Sequence, residues 1–351
     1  MDYRTINNNS VNLIRAFDKN SEKEVLQYAV GGLLYMPGTN VKIAKKILAK
    51  EDPNMKSMVL CLEDSIGDSV VEQAEECVKN TLSELKSAID AGTFSVSELP
   101  LIFIRVREFG QMTRLVKKCD IAISVITGFV IPKFNKENSL NYIKEFEQIL
   151  DTVKFPLYLM PIIESRNVMY KPTRLENLCY IYNVLKPISD NVLCIRVGGT
   201  DFCNIYGIRR PINATIWDIS VVSDCISDII NIFATDYVVS GPTWEFFENK
   251  ENVSDTAWSE GLKKELSLDR LNGIIGKTCI HPSQVPFVQQ SLIVSESDYD
   301  NALQVLNLSS QSFIGVKKGT NGNQMNEAKT HINWAKKIFS LSCIYGIKKD
   351  I

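Results

Sequence analysis

Histidine is almost missing from this sequence of 351 residues, which contains only two, at positions 281 and 331. A zinc site usually takes several His or Cys ligands at close spacing. The nine cysteines include no Cys-x-x-Cys pair, and several lie in apolar segments, as reduced and packed thiols do. The sequence therefore argues against a zinc site and a disulfide framework, and it predicts a cytoplasmic protein.

An excess of charge of one sign is also missing. The chain has 39 Lys and Arg against 41 Asp and Glu, and no block of five or six like charges occurs. Nucleic-acid and membrane-surface proteins usually carry a basic patch or stripe. The first residues lack the order of a signal peptide, and the longest apolar run, residues 121–132, is too short to span a bilayer. We therefore expect a small-molecule partner, with no nucleic acid and no membrane.

What the sequence does contain is eight short apolar segments, each bounded by Gly, Pro or polar residues. Such segments predict strands covered on both faces, and helix-like segments such as residues 70–90 and 139–153 lie between them. The predicted strands begin at Gly31, Ser57, Leu101, Gly128, Pro156, Asn191, Asp236 and Gly276. This alternation predicts an α/β protein with a (β/α)8 TIM barrel, in which the active site lies at the C-terminal ends of the strands.

The predicted barrel does not account for the whole chain. We assign residues 1–30 to an N-terminal helical extension, residues 31–290 to the catalytic barrel and residues 291–351 to a C-terminal lid and helix. The tail combines two predicted helices with a Gly- and Asn-rich loop at residues 317–329, and a glycine-hinged loop of this kind suits a lid. The final helix is expected to pack on the barrel or on a neighbouring subunit.

Two acids end the fifth and sixth predicted strands, Glu164 and Asp201. Neighbouring strands lie about 4.8 Å apart, so the two carboxylates can converge on one cation. Oxygen ligands with open positions suit Mg²⁺, or alternatively Mn²⁺. The alternative is structural, with each acid capping the following helix or pairing with Arg166 or Arg209. We favour the metal site because the two acids end adjacent strands.

Other polar residues at the predicted strand ends are candidates for substrate binding. Arg105 lies within a strand, where its fork would bind a carboxylate or carbonyl oxygen or pair with a nearby acid. Lys133 is a weaker candidate for a Schiff-base lysine, and His281 is equally suited to a ligand contact or a loop hydrogen bond. The full predicted substrate-binding set is Pro37, Gly38, Arg105, Gly199, Thr200, Arg209, Arg210 and His281.

Seven motifs in order resemble the citrate lyase β-subunit-like group of the HpcH/HpaI aldolase superfamily. They are "LLYMPGTNVKIAKKI", "VLCLEDSIGD", "IFIRVR", "GFVIPKF", "MPIIESRNVMY", "GGTDF" and "GKTCIHPSQV". The longer strings "GGTDFCNIYGIRR", "SGPTWEFF" and "NQMNEAKTHINWA" are most similar to a bacterial subgroup called TIM-barrel C–C bond lyases, which often accompany tellurite-resistance clusters. The resemblance extends from about Gly31 into the C-terminal tail.

The resemblance implies roles for individual residues. It implies that magnesium binds to Glu164 and Asp201, and that Arg105 binds the carbonyl or carboxylate of the reacting fragment. Glu63 and Asp64 would orient Arg105 and a metal-bound water. Glu327 would act in proton transfer from a neighbouring subunit, in a homo-oligomer that is often a trimer or hexamer.

The sequence also departs from the group's usual pattern. Arg107 stands where a small amide is usual, Thr39-Asn40 replaces a basic residue, and the pair Arg209-Arg210 is not general. The added positive charge suggests a substrate with an extra carboxylate or phosphate, and it leaves a coenzyme A thioester open.

The resulting functional prediction is a Mg²⁺-dependent lyase that cleaves a carbon–carbon bond in an aldol-type reaction. Its substrate would be a small anionic oxo or hydroxy acid or the acyl-CoA thioester of one. Two alternatives keep the same site. One is hydrolysis of an acyl thioester, and the other is a metabolite-binding subunit without turnover.

Overall fold

The computed structural model describes residues 16–249, 251, 255–309, 315–320, 322 and 324–349. Contacts divide the described chain into a larger unit, residues 18–288, and a smaller one that contains residues 289–349. Residues 18–30, which the sequence analysis assigns to a separate extension, group with the larger unit. Residues 1–15 of that predicted extension lie outside the described residues.

The larger unit is built on eight parallel strands in the order β7-β6-β5-β4-β3-β2-β1-β8. The strands are β1 (Gly32–Pro37), β2 (Ser57–Cys61), β3 (Leu101–Arg105), β4 (Gly128–Ile131), β5 (Tyr158–Ile163), β6 (Cys194–Val197), β7 (Val238–Ser240) and β8 (Lys277–Cys279). Just beyond β7, Gly241 pairs in parallel with Lys277, and its N–H donates to the Gly276 carbonyl at 3.0 Å. These bonds join β7 to β8, so the sheet closes and the predicted (β/α)8 barrel is confirmed.

Helices alternate with these strands. They are α1 (Lys23–Ala29), α2 (Ile43–Leu48), α3 (Val71–Asp90), α4 (Gln111–Cys119), α5 (Ser139–Leu150), α6 (Arg166–Met169), α7 (Lys171–Leu185), α8 (Gly199–Ile205), α9 (Ser220–Phe233), α10 (Ala257–Leu271), α11 (Val285–Ser291), α12 (Glu296–Ser309) and α13 (Ile332–Tyr345). The main apolar core joins outward-facing strand residues such as Ile102 and Ile104 to helix residues such as Leu82 and Leu115. Full burial of one such side chain contributes about 1.5–3 kcal/mol.

A fully buried ion network links α10 to β8 and to the segment after α8. Glu265 accepts from Arg210 and from the Ile216 backbone N–H at 2.6 Å, and it lies 2.9 Å from the Lys277 ammonium. The same ammonium donates to Asp269 at 2.6 Å. Two cations and two carboxylates are therefore buried together, with the partly exposed Glu245 at the edge, 3.8 Å from Arg210, and the network fixes the segment that follows α8.

The smaller unit contains α12 and α13 with four short strands, β9 (Val294–Ser295), β10 (Val316–Lys318), β11 (Met325–Glu327) and β12 (Ile347–Lys348). β9 pairs in parallel with β12, and β10 pairs antiparallel with β11. The predicted loop at residues 317–329 is therefore wrong in part, because its ends form a β-hairpin. In the part of the chain that the structure describes, no helix is both long enough and apolar enough to cross a membrane.

Candidate active site

Arg105, the last residue of β3, lies at the centre of a cluster of acids at the C-terminal ends of the strands. Its Nη2 is 2.8 Å from a Glu63 oxygen, 3.1 Å from Asp64 and 3.3 Å from Glu164. The Arg105 side chain is only 8% exposed. Three carboxylates therefore surround one buried guanidinium and fix its orientation. Arg105 pairs with nearby acids, and this arrangement is compatible with its binding a substrate oxygen as well.

Glu164 follows β5 directly and is almost fully buried. Its Oε1 accepts from the Lys133 backbone N–H at 2.8 Å, which Lys133 presents from the left-handed region of the backbone, at φ 49°. Burial lowers the pKa of the Lys133 ammonium, but the ion pair with Glu63 outweighs this effect, so the pKa is raised. Lys133 is thus held protonated in an ion pair, which does not favour a Schiff-base amine.

Asp201 lies in the first turn of α8 rather than at the end of β6, which stops at Val197. Its carboxylate lies near Glu164 and adds to the rise in the pKa of that acid. Gly198 leaves room for the Glu164 side chain, because a Cβ at this position would lie 2.3 Å from a Glu164 oxygen. Glycine at 198 leaves the space that the Glu164 carboxylate occupies, so the two acids predicted to converge are brought together.

The mouth of the barrel carries an excess of negative charge. Burial raises the pKa of Glu164 to about 8, with Arg105 opposing the rise and Asp201 adding to it. Burial also raises the pKa of Asp201, and the Asp64 carboxylate adds to that rise. Four carboxylates, those of Glu63, Asp64, Glu164 and Asp201, face two cations, Arg105 and Lys133.

This donor set fits a divalent cation. Two adjacent carboxylates in a cluster with a formal excess of two negative charges supply the hard oxygen ligands that Mg²⁺ and Mn²⁺ prefer. Among the described residues, no group of three or more His, Cys, Asp and Glu side chains is arranged to hold a metal. A metal here would therefore keep positions for water and substrate oxygens beside Glu164 and Asp201.

Arg107 does not add a cation for the substrate in this structure. Its guanidinium donates to three carbonyls of the loop after β2, those of Leu62 (3.0 Å), Glu63 (2.9 Å) and Ile66 (3.0 Å). It also pairs with Asp68 at 2.5 Å. Arg107 is a positioning residue that fixes the loop carrying Glu63 and Asp64.

The predicted small residues lie beside the acid cluster. Pro37 ends β1, and the Gly38 N–H donates to the Cys61 carbonyl at 2.8 Å, next to the loop that carries Glu63. Gly199 is buried, and a Cβ there would lie 2.7 Å from Pro242. Thr200 is exposed in the first turn of α8.

The remaining predicted substrate-binding residues are not all near the acids. Arg210 is buried in the ion network with Glu265, and its guanidinium lies 4.6 Å from the Trp244 ring centroid. Arg209 is exposed. His281 stacks on Phe247 at 4.7 Å and accepts from the Ser283 N–H at 3.2 Å, so its ring supports the loop after β8. The structure gives no support to substrate binding by Arg210.

Glu327 belongs to the smaller unit, where it ends β11. Its backbone N–H donates to His331 Nδ1 at 3.1 Å, and its carboxylate accepts from the Thr330 hydroxyl at 3.1 Å. His331 thus helps to hold the turn after the hairpin. The role of Glu327 in proton transfer stays a prediction.

Sequence reasoning missed two residues of the barrel interior, Arg196 and Tyr35. Arg196 is 1% exposed within β6, and Tyr35 lies in β1 with its ring centroid 6.0 Å from the Arg105 guanidinium carbon. An arginine inside an apolar strand was the signal that marked Arg105, and Arg196 in "LCIRV" carries the same signal.

Known structures with this fold include the protein CitE from Mycobacterium tuberculosis in complex with magnesium, acetoacetate and coenzyme A. It is 16% identical to this chain, the match covers 90% of this chain and 99% of that protein, and the TM-score is 0.55. RipC from Yersinia pestis is also 16% identical, with 76% and 95% covered and a TM-score of 0.50. These likenesses show the fold. A comparison with curated protein sequences gives no match.

A family model gives the decisive match. The model of the C–C bond lyases of the TIM-barrel fold matches residues 24–347, which is nearly the whole chain. The match includes the barrel, all the acids of the mouth and the hairpin that carries Glu327. The chain therefore belongs to the family of C–C bond lyases of the TIM-barrel fold, and it is an enzyme of the carbon–carbon lyase class.

Proposed function

We propose that this enzyme is a divalent-cation-dependent lyase that cleaves, or in reverse forms, a carbon–carbon bond beside a carbonyl group. The substrate is a small anionic oxo or hydroxy acid, free or as an acyl-CoA thioester. One observation carries the proposal: Glu164 is buried against the guanidinium of Arg105 at the barrel mouth, and Asp201, in the first turn of α8, lies near it.

Glu164 and Asp201 would hold Mg²⁺, with Mn²⁺ as a substitute. When bound, the cation polarises a substrate oxygen and offsets the negative charge that develops there during cleavage. The excess of carboxylates over cations at the mouth supports this assignment. So does the magnesium bound to the structurally similar CitE of M. tuberculosis, and the coenzyme A in that complex supports a thioester substrate.

The chain's own residues bind and orient the reacting fragment. Glu63 and Asp64 hold the Arg105 fork so that its remaining N–H groups can meet a substrate carboxylate or carbonyl oxygen. Arg105 Nε is buried and has no hydrogen-bond partner among the described residues. Fixed donors at a position where negative charge develops lower the barrier because they need no reorganisation.

Cleavage also requires two proton transfers. A base takes the hydroxyl proton, the electron pair of the broken bond stays on the carbon next to the carbonyl, and that carbon is then protonated. We propose that Glu327 of a neighbouring subunit takes part, in a trimeric or hexameric homo-oligomer. A cytoplasmic location, the small-molecule partner and the link to tellurite-resistance clusters are parts of the same proposal.

Hydrogen–deuterium exchange by NMR tests the function directly. Pyruvate and acetyl-CoA are incubated in heavy water with enzyme and Mg²⁺, or with a chelator. Metal-dependent exchange at the pyruvate methyl supports an oxo-acid substrate, and exchange in acetyl-CoA supports a thioester. Glu164→Gln is expected to lower the rate about 10²–10³-fold, whereas Glu260→Gln on the exposed face of α10 leaves it unchanged. Exchange that persists in chelator contradicts the proposal.

A further inference from the structure

Arg196 of β6 points into the barrel. Its Nη2 donates to the Thr278 hydroxyl at 2.6 Å, and Thr278 belongs to β8. In the closed sheet β7 lies between β6 and β8. A side-chain bond that joins these two strands must cross the interior of the barrel, so the guanidinium of Arg196 lies inside it.

No acid neutralises this guanidinium in the described part of the chain. Arg196 is 1% exposed, its Nε has no hydrogen-bond partner, and its Nη1 meets only the Cys194 sulfur at 3.9 Å. By contrast, Arg174 pairs with Asp224 and Asp228 at 2.7 and 2.8 Å. A buried charge without an ionic partner is strongly unfavourable, so an anion bound at this position would stabilise the folded enzyme.

The neighbours of Arg196 are hydroxyl groups. Ser240 pairs with Arg196 in the register of β6 and β7, and its buried Oγ has no hydrogen-bond partner. Tyr35 is close enough that both Arg196 and Arg105 counteract the rise that burial causes in the pKa of its hydroxyl. Tyr35 and Thr278 are both partly exposed, whereas Arg196 itself is only 1% exposed.

We propose that Arg196 is the cation of a second anion-binding subsite, inside the barrel, which receives a carboxylate of the substrate. The inference rests on the proposed function, which places the oxo or hydroxy acid end at Glu164, Asp201 and Arg105. The substrate is then a dicarboxylic acid, with its second carboxylate bound by Arg196 and by the neighbouring hydroxyls.

The charge of the subsite favours a carboxylate over a phosphate. One guanidinium balances one negative charge, whereas a phosphate monoester carries nearly two. The planar fork of arginine also matches the two oxygens of a carboxylate. The hydroxyls of Tyr35, Thr278 and Ser240 can donate to the same oxygens. This subsite provides the extra anion recognition that the sequence analysis assigns to Arg209 and Arg210.

Matched pairs of 2-oxo acids test the subsite. The affinities of 2-oxoglutarate and 2-oxopentanoate, which differ only in the second carboxylate, are measured with Mg²⁺ by calorimetry or NMR. Oxaloacetate and 2-oxobutanoate form a shorter pair. The wild-type enzyme is expected to bind the dicarboxylate of at least one pair more tightly, by about 10- to 100-fold. Arg196→Gln is expected to remove this preference and to leave the monocarboxylate affinity unchanged.

The outcomes separate this inference from the proposed function. If the monocarboxylates bind and the wild type shows no dicarboxylate preference, the subsite is wrong and the proposed function survives. Equal weakening of both members of a pair by Arg196→Gln also overturns the subsite, since it assigns a general structural role. If none of the four acids binds although Mg²⁺ does, the subsite for a free oxo acid is overturned, while the proposed function survives with an acyl-CoA thioester as its substrate.

Stability provides a second, independent readout. An unpaired buried cation destabilises the ligand-free protein, so Arg196→Met is expected to raise the melting temperature by about 2 °C. Arg174→Met is the matched control, because this buried arginine is paired and its loss leaves Asp224 and Asp228 uncompensated. A melting temperature that falls as far for Arg196→Met as for Arg174→Met would assign Arg196 to the scaffold and overturn the subsite.

Discussion

Two clusters of buried charged side chains lie in the same barrel, and they differ in the balance between carboxylates and cations. In the network around Glu265, two buried carboxylates meet two buried cations, and the partly exposed Glu245 lies only at the edge, 3.8 Å from Arg210. At the mouth, around Glu164, four carboxylates meet two cations and the cluster is open on one side. The buried charges around Glu265 balance one another. At the mouth the carboxylates outnumber the cations, and an added cation would offset this excess of negative charge.

The difference separates a scaffold from a binding site. A buried pair in balance holds elements in place, since removing one partner leaves a charge uncompensated. Like charges held together without compensation oppose folding, and such strain in a protein is typical of functional sites.

Glu265→Gln is expected to have the largest effect on stability. It leaves Lys277 with Asp269 and Arg210 with only the more distant Glu245, and breaking a buried pair in this way costs about 3–5 kcal/mol. Urea unfolding in chelator measures the loss. Glu260→Gln on the exposed face of the same helix is the control, with a change within about 0.5 kcal/mol. Similar free energies of unfolding for both variants would contradict a scaffold role for the network.

Magnesium is expected to stabilise the protein through Glu164. At a free concentration of about 100 times the Kd, the ion raises the free energy of unfolding of the wild type by about 2.7 kcal/mol. The same addition leaves Glu164→Gln unchanged, since the variant lacks one ligand. Thermal unfolding with and without Mg²⁺ measures both. The Glu265→Gln variant should keep the full stabilisation by Mg²⁺. Loss of that stabilisation would contradict the separation of the ion network from the metal site.

The pH dependence of the metal-free protein is expected to reveal the crowded mouth. Burial, opposed by Arg105 and aided by Asp201, raises the pKa of Glu164 from 4.5 to about 8. The folded state therefore holds an extra proton between these values. The corresponding stability is fully present below pH 4.5 and is lost as the pH rises through about 8. Urea unfolding in chelator across this range measures the slope, and Glu164→Gln should lack it.

Arg107→Asn is expected to have the smallest effect. It removes the bonds to the carbonyls of residues 62, 63 and 66, so the loop that carries Glu63 and Asp64 loosens. We expect kcat to fall about tenfold, since net hydrogen bonds contribute about 1 kcal/mol each, with metal affinity nearly unchanged. Asp68→Asn is the control, because Asp68 is exposed and bonds only the outer side of Arg107. Loss of metal affinity in Arg107→Asn would contradict a positioning role.

Much of this arrangement is readable from the sequence. The apolar segments alternate with helices eight times, which predicts the barrel, and the polar residues that end them mark its active face. Glu164 directly follows β5, Arg105 ends β3, and Glu63 lies two residues after β2, so their convergence could be predicted. Asp201 is displaced because Gly198 and Gly199 end β6 early and start α8.

The misplaced residues depend on long-range pairing. Arg210 is buried because Glu265, 55 residues away, accepts its guanidinium, and no local pattern shows that pair. Arg196 lies in an apolar segment. Because both faces of such a strand are buried, the sequence does not show which alternate residues point into the barrel. The contacts of Arg107 with the loop after β2 could not be predicted, because the carbonyls it binds are backbone groups, which every residue carries.

Binding of Mn²⁺, followed by electron paramagnetic resonance in titrations with the free protein, tests the central claim most directly. The wild type and Glu265→Gln are expected to bind one ion per chain with similar affinity. Glu164→Gln and Asp201→Asn are each expected to lose that binding. Retention of wild-type affinity in either variant would show that the paired carboxylates at the barrel mouth do not hold the cation, and it would contradict the account.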